Sequence, residues 1–352
     1  MRKKYGFLVS VFILFILLAA CGGGGSETSQ GDAGGAEEGT ESNEPIVIRY
    51  AHNQHESTPQ HEGTVLFKEK IVELSEGRIE VQIYPNNQLG SLRETIESVQ
   101  AGQIELAQQP IGMISNFVPE MTLNDLPYLF PSEEVLLAVL DGEGGEMYDS
   151  YLENQGFVGL GYMSGGPKQF SAHKPLRTTD DFAGTSIRAM EAPIVISTME
   201  ALGANPVPIA FSELYNSLQQ GVVDGQENPN QSFVMLNLHE VQDVVTMTNH
   251  SWMIYNNIMN KDFYESLPAD LQELVREAME YANDEQRLLM QAEEESYISE
   301  LEELGTEVVQ LTDEEVEALR QATLPVYDEF TDVIGEDLMQ SILDEIERLD
   351  NN

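Results

Sequence analysis

The run ALGANPVPIAFSELYNSLQQGVVDGQENP occupies residues 201–229. Its spacing predicts a helix end, a sharp loop, an amphipathic helix, a short strand and a polar turn. Gly203 and the pair Asn205-Pro206 punctuate the first boundary, because proline holds the residue before it out of helical geometry. Ser212 is placed to cap a helix over 213–220, whose apolar residues Leu214, Tyr215 and Leu218 recur at helical spacing. Gly221 ends that helix, and Val222-Val223 begin a buried strand. The following Asp224-Gly225-Gln226-Glu227-Asn228-Pro229 is a run of hydrogen-bonding side chains at a strand end. Open α/β sheets bind ligands at strand ends beside helix starts.

On either side of this stretch, strand and helix patterns alternate through the chain. Residues 46–50 read as a strand, 61–74 as a helix and 78–84 as a strand, which is the seed of a parallel sheet. Further helices are expected at 92–101 and 132–140, and strands at 104–108, 157–163 and 184–190. Thr178-Thr179-Asp180-Asp181 should cap a short helix. Residues 241–260 are long for extended structure and should cross between domains. Residues 271–304 form one continuous helical pattern, about 50 Å at the α-helical rise, and two acidic amphipathic helices close the chain.

The first residues stand apart. Arg2, Lys3 and Lys4 precede an apolar run, and Leu18-Ala19-Ala20-Cys21 closes it with small residues: a secretory signal peptide over 1–20 with a lipid-attachment cysteine. Cys21 is the only cysteine of the 352 residues, so no intrachain disulfide can form. Residues 21–44 are Gly, Ser, Thr and acidic, the composition of a disordered tether. Such a tether spans roughly 25–30 Å by random-coil scaling. The remainder exceeds one ordinary core and should form two domains, 45–165 with about 254–293, and 166–253 with about 294–350.

The formal net charge is −44, and removing residues 1–20 takes away three basic and no acidic residues, leaving −47. A phosphate backbone would be repelled, which excludes nucleic acid as a partner. No Ser-His-Asp order, nucleophile elbow or dinucleotide fingerprint occurs, so no catalytic residue and no cofactor is expected. His52, His55 and His61 match no zinc-ligand spacing, so no metal is expected.

Arg188 is the leading binding candidate. It sits in Ser186-Ile187-Arg188-Ala189-Met190, a strand with apolar neighbours, where a guanidinium needs an anion. Its planar fork fits a carboxylate, and the residues alone leave open whether that anion is a ligand or an internal Asp or Glu. Asn228 can donate and accept, and Pro229 holds it extended. Trp252, the sole tryptophan, and Tyr255 lie on the crossing segment and could line a cleft or brace a hinge.

The stretch 201–229 resembles, nearly residue for residue, the signature of solute-binding proteins of tripartite ATP-independent periplasmic (TRAP) transporters, the DctP-like family. The resemblance continues in AHNQHESTPQH (51–61), GRIEVQIYPNNQLGS (77–91), NDLPYLF (124–130), DFAGTSIRAM (181–190) and LPADLQELVREA (267–278). It implies a two-domain type II periplasmic-binding-protein-like α/β fold, with a ligand cleft between domains and a long helix spanning both. It implies an extracytoplasmic receptor, not an enzyme, that closes on an organic acid and delivers it to small and large TRAP membrane subunits. A monomer tied to the membrane by its lipid is expected.

At the residue level the resemblance assigns the ligand carboxylate to Arg188 and a ligand contact to Asn228. It makes Phe211 the ring that packs on the ligand, Asn53 a first-loop contact, and Glu227 an orienting or hinge residue. Lys168 stands where many members place a second arginine; lysine keeps the charge and loses the fork. At a strand start it is expected to be fairly open, with pointing to solvent as the other reading. C4-dicarboxylates, sugar acids and 2-oxo acids all fit such a cleft. The alternative function is a sensing lipoprotein that presents the same acid to a membrane receptor kinase, and a secreted hydrolase is a third.

Overall fold

A computed structural model describes residues 44–350. The signal peptide, Cys21 and nearly all of the tether lie outside the described residues.

Ten strands build a continuous mixed sheet. They are β1 (Ile46–Ala51), β2 (Ile79–Tyr84), β3 (Leu106–Pro110), β4 (Phe157–Ala172), β5 (Ser186–Ala189), β6 (Asn205–Pro208), β7 (Gly225–Pro229), β8 (Val244–Met247), β9 (Trp252–Asn260) and β10 (Glu307–Gln310). The order is β2-β1-β3-β9-β4-β7-β5-β6, with β8 joining β4 to β10. β1, β2 and β3 are parallel, as the strand–helix–strand pattern requires, and the helix Pro59–Leu74 makes the crossover.

The sheet has two lobes because β4 changes partners along its length. From Phe157 to Pro167 it pairs with β9, and from Phe170 to Ala172 with β8. β7 takes its other edge from Lys168 to Ser171. The domain boundary expected between residues 165 and 166 falls at a register shift inside one 16-residue strand. Gly166 makes the shift possible: its φ of +87° is open to glycine and strained for other residues.

The signature run folds differently from its local reading in three places. The loop at Asn205-Pro206 is the strand β6, which tolerates two prolines because it is the sheet edge. A 3₁₀ turn, Phe211–Glu213, precedes the helix Leu214–Gln219, and Ser212 makes no capping bond. Val222 is exposed, and the strand begins at Gly225, so the expected polar turn is itself the buried strand β7. β7 lies between β4 and β5, and a Cβ on Gly225 would meet the Ser171 carbonyl oxygen at 2.3 Å. Only glycine lets the two backbones approach there.

The long helix, Ala269–Glu303, joins the lobes. Leu271, Val275 and Met279 pack with Ile48, Phe67 and Met253 in one core. Met290, Tyr297 and Leu301 pack with Leu214, Phe233 and Val245 in another. The helix Asp313–Ile334 lies on Pro119–Asp125 and Pro193–Ala201, and the helix Glu336–Asp350 on Glu133–Leu140. Burying Leu319, Val326, Phe330, Leu338 and Ile342 holds both in place.

Candidate functional site

Two buried cations lie where β4, β7 and β5 meet, and their surroundings differ. Arg188, on β5, is 3% exposed and aligned with Gln226 of β7. Its Nε donates to the Ile209 carbonyl at 2.8 Å. Its two terminal nitrogens make no hydrogen bond or salt bridge among the described residues. Burial pulls its pKa down to about 10, against the upward pull of Glu227 and Glu191. A buried guanidinium without a counter-ion is costly to keep.

A small cavity of about 10 Å³ lies in front of Arg188, room for about one water. Its walls come from both lobes: Asn87 and Met113 on one side, Arg188, Glu191, Phe211 and Ser212 on the other. The Phe211 ring centre is 6.0 Å from the guanidinium carbon, within cation–π reach. Asn116, from the opposite wall, donates to the Glu191 carbonyl at 2.9 Å.

Lys168 corrects the expectation of an open strand start. It is 1% exposed, with Nζ 2.8 Å from Asp125 Oδ1 and 4.0 Å from Glu227 Oε2. Asp125 and Glu227 hold its ammonium inside the protein rather than at the surface. Burial pulls its pKa down, but Asp125 and Glu227 outweigh this and the net direction is up. Burial raises the Glu227 pKa, against Lys168 and Arg188. His250 stacks on Phe170 at 4.4 Å, and its Nδ1 lies 2.8 Å from Thr248 Oγ1. Burial, then Lys168, hold its pKa down at about 3. The imidazole is thus neutral at pH 7, and its 3.8 Å approach to Glu227 is not an ion pair. Asp125, Lys168, Glu227, His250 and Ser251 line a second cavity of about 10 Å³.

The remaining candidates are scattered. Asn228 is buried on β7 opposite Gln169, and its Nδ2 donates to Gln226 Oε1. Asn53 is buried and accepts from Gln54 Nε2 at 3.3 Å, outside both cavities. Trp252 is half-buried beside Pro167, and its Nε1 is 3.5 Å from the Phe130 carbonyl. Tyr255 is buried, and its hydroxyl accepts from Gln54 at 2.6 Å. His61 Nδ1 and His52 Nε2 are 3.1 Å apart, while His55 is exposed and turns to Ser57. Among the described residues no three His, Cys, Asp or Glu are grouped to hold a metal ion. Among them, too, no helix is long and apolar enough to cross a membrane.

Sequence reasoning missed Asp125, His250, Glu191 and Asn87. Asp125 carried a signal: it is the one acid in the apolar run Asn124-Asp125-Leu126-Pro127-Tyr128-Leu129-Phe130. A carboxylate among apolar neighbours needs a partner just as a guanidinium does.

The family DctP, bacterial extracellular solute-binding protein, family 7, matches residues 50–332. The C4-dicarboxylate-binding periplasmic protein DctP of Rhodobacter capsulatus is 38% identical over 245 residues, covering 68% of this chain and 74% of that protein. A TRAP periplasmic solute-binding protein of Sulfurospirillum deleyianum, solved with bound succinate, is 34% identical with a TM-score of 0.80, covering 84% of this chain and 98% of that one. The sugar acid binding protein of Advenella mimigardefordensis, solved with galactonate, is 28% identical with a TM-score of 0.83, covering 86% and 98%. On the extent of these matches, the chain belongs to bacterial extracellular solute-binding protein family 7, the DctP family of TRAP solute receptors.

Proposed function

We propose that this chain, a member of a family of solute receptors rather than enzymes, captures an organic acid outside the cytoplasm and delivers it to the membrane subunits of a TRAP transporter. Arg188 carries the reading: a buried cation whose two terminal nitrogens are left without a partner. Its end-on fork takes one carboxylate, and Phe211 packs beside it; Asn228 is bonded to Gln226 and does not line this cavity. The succinate and galactonate bound to the two similar proteins support an acid as the ligand class.

The cavity is too small for such an acid, and its walls belong to two lobes, so the lobes part to admit it and close to hold it. The change of pairing at Ser164–Gly166 and the gap between β8 and β9 are the natural hinge. A thermal-shift panel of organic acids tests the reading. A ligand at 100 times its dissociation constant adds about 2.7 kcal/mol, and small-angle scattering on the same samples should give a smaller radius of gyration. If no organic acid raises the melting temperature, the chain is not an acid receptor.

The membrane attachment is a separate proposal, motivated by Leu18-Ala19-Ala20-Cys21. Cys21 carries a diacylglycerol that holds the mature protein at the cell surface. Cys21→Ala should release the protein into the medium; continued lipid labelling of that variant rules the assignment out.

A further inference from the structure

The charge around Arg188 carries a narrower statement about the ligand, one that rests on the acid-receptor reading. Arg188 is the only lysine or arginine lining its cavity, and Glu191 is the only carboxylate. The Glu191 side chain is half-buried and has no hydrogen bond or ion pair among the described residues. Its backbone is fixed by the Asn116 bond to its carbonyl. A ligand carboxylate on Arg188 neutralises the one cation. A second carboxylate on the same small molecule would have Glu191 beside it and no cation to meet.

The other buried cation does not relieve this. Lys168 opens on the second cavity, and Asp125 and Glu227 already set two carboxylates against its single charge. Arg93 follows the lining residue Leu92 in the chain, but its guanidinium lies 3.8 Å from Glu97 and 5.9 Å from the Phe117 ring centre. The uncommitted polar groups facing Arg188 are then the Asn87 amide, the Ser212 hydroxyl and the Glu191 carboxylate. A carboxylate accepts strongly from a hydroxyl. A like charge placed against it costs several kcal/mol.

We infer that the ligand is a monocarboxylate bearing hydroxyl groups, and that Glu191 is the residue selecting it over a dicarboxylate. Arg188 takes the carboxylate, and Glu191 accepts a hydroxyl from the other end of the molecule. Asn87 and Ser212 are placed to bond further hydroxyls.

Calorimetry with galactonate, succinate and butanoate tests this on the wild type, Glu191→Gln and Arg188→Ala, each checked by melting curve. Galactonate should bind the wild type at least about tenfold more tightly than succinate, a gap of about 1.4 kcal/mol. Butanoate, lacking hydroxyls, should also bind more weakly than galactonate. Glu191→Gln should weaken galactonate, strengthen succinate and so shrink the ratio. A wild type that prefers succinate, or a ratio unchanged by Glu191→Gln, overturns the inference. It leaves the receptor reading standing provided Arg188→Ala removes binding of the preferred acid. If none of the three acids binds, or Arg188→Ala binds as well as the wild type, the acid-receptor reading fails as well.

Discussion

Arg188 and Lys168 are both buried cations on adjacent parts of one sheet, yet among the described residues only Arg188 keeps terminal nitrogens without a hydrogen-bond partner. Lys168 has two carboxylates within 4.0 Å, supplied by the chain itself. Arg188 has one carbonyl on Nε and open terminal nitrogens. Burial alone therefore does not mark a binding cation. What would mark it is that the fold buries the charge and leaves its terminal nitrogens without a hydrogen-bond partner among the described residues. An internal pair contributes to stability, and an incomplete one stores binding energy for a partner that arrives later.

The largest effect that separates the two should come from Lys168→Ala. Removing one member of a buried pair leaves Asp125 and Glu227 uncompensated, which costs about 3–5 kcal/mol of stability. Denaturant melts should show that loss, while ligand affinity in the surviving folded fraction changes little. A variant that melts like the wild type but loses the ligand would move Lys168 into the binding site and erase the contrast.

A smaller effect comes from the pH response of the Lys168 cluster. His250 has its folded pKa near 3, below the ordinary value of 6.5. The unfolded chain therefore binds the proton first, so this group's stabilisation is present above pH 6.5 and is lost as the pH falls toward 3. The raised pKa of Glu227 acts with the opposite sign, so the informative quantity is a difference between variants. His250→Asn keeps a polar side chain and removes the titration. Its unfolding free energy should fall less steeply than the wild type's between pH 6.5 and 4. Equal slopes would mean that His250 is not held neutral by its surroundings.

Local features of the fold and the parallel pairing of β1 with β2 were legible in the sequence, and the pairings of the stretch 201–229 were not. The long helix was expected at 271–304 and runs Ala269–Glu303, because its apolar spacing persists without a break. Thr178 closes a capping box with Asp181, as its residue types require. By contrast, Asp224–Pro229 carries the composition of a turn, and it becomes a strand because β4 and β5 satisfy its backbone from both sides. No local signal reports such pairing. The site divided in the same way. Arg188 was visible as a charge among apolar neighbours. Lys168 was expected to be an open second cation, and the fold instead brought Asp125 to it from 43 positions away in the sequence. Glu191 was hidden in a chain with 61 acidic residues, where one more carboxylate draws no notice.

The open fork of Arg188 is the feature on which acid binding turns, and the variant that isolates it is Arg188→Lys. Lysine keeps the positive charge and loses the second parallel hydrogen bond. Calorimetry with the tightest-binding acid should show a loss of about 1.5–3 kcal/mol, the worth of one hydrogen bond to a charged group. The melting curve without ligand should hardly move, because lysine keeps the positive charge that acts on Glu227. Unchanged affinity together with a large fall in stability would contradict the account, since Arg188 would then be serving the fold and the acid would be held elsewhere.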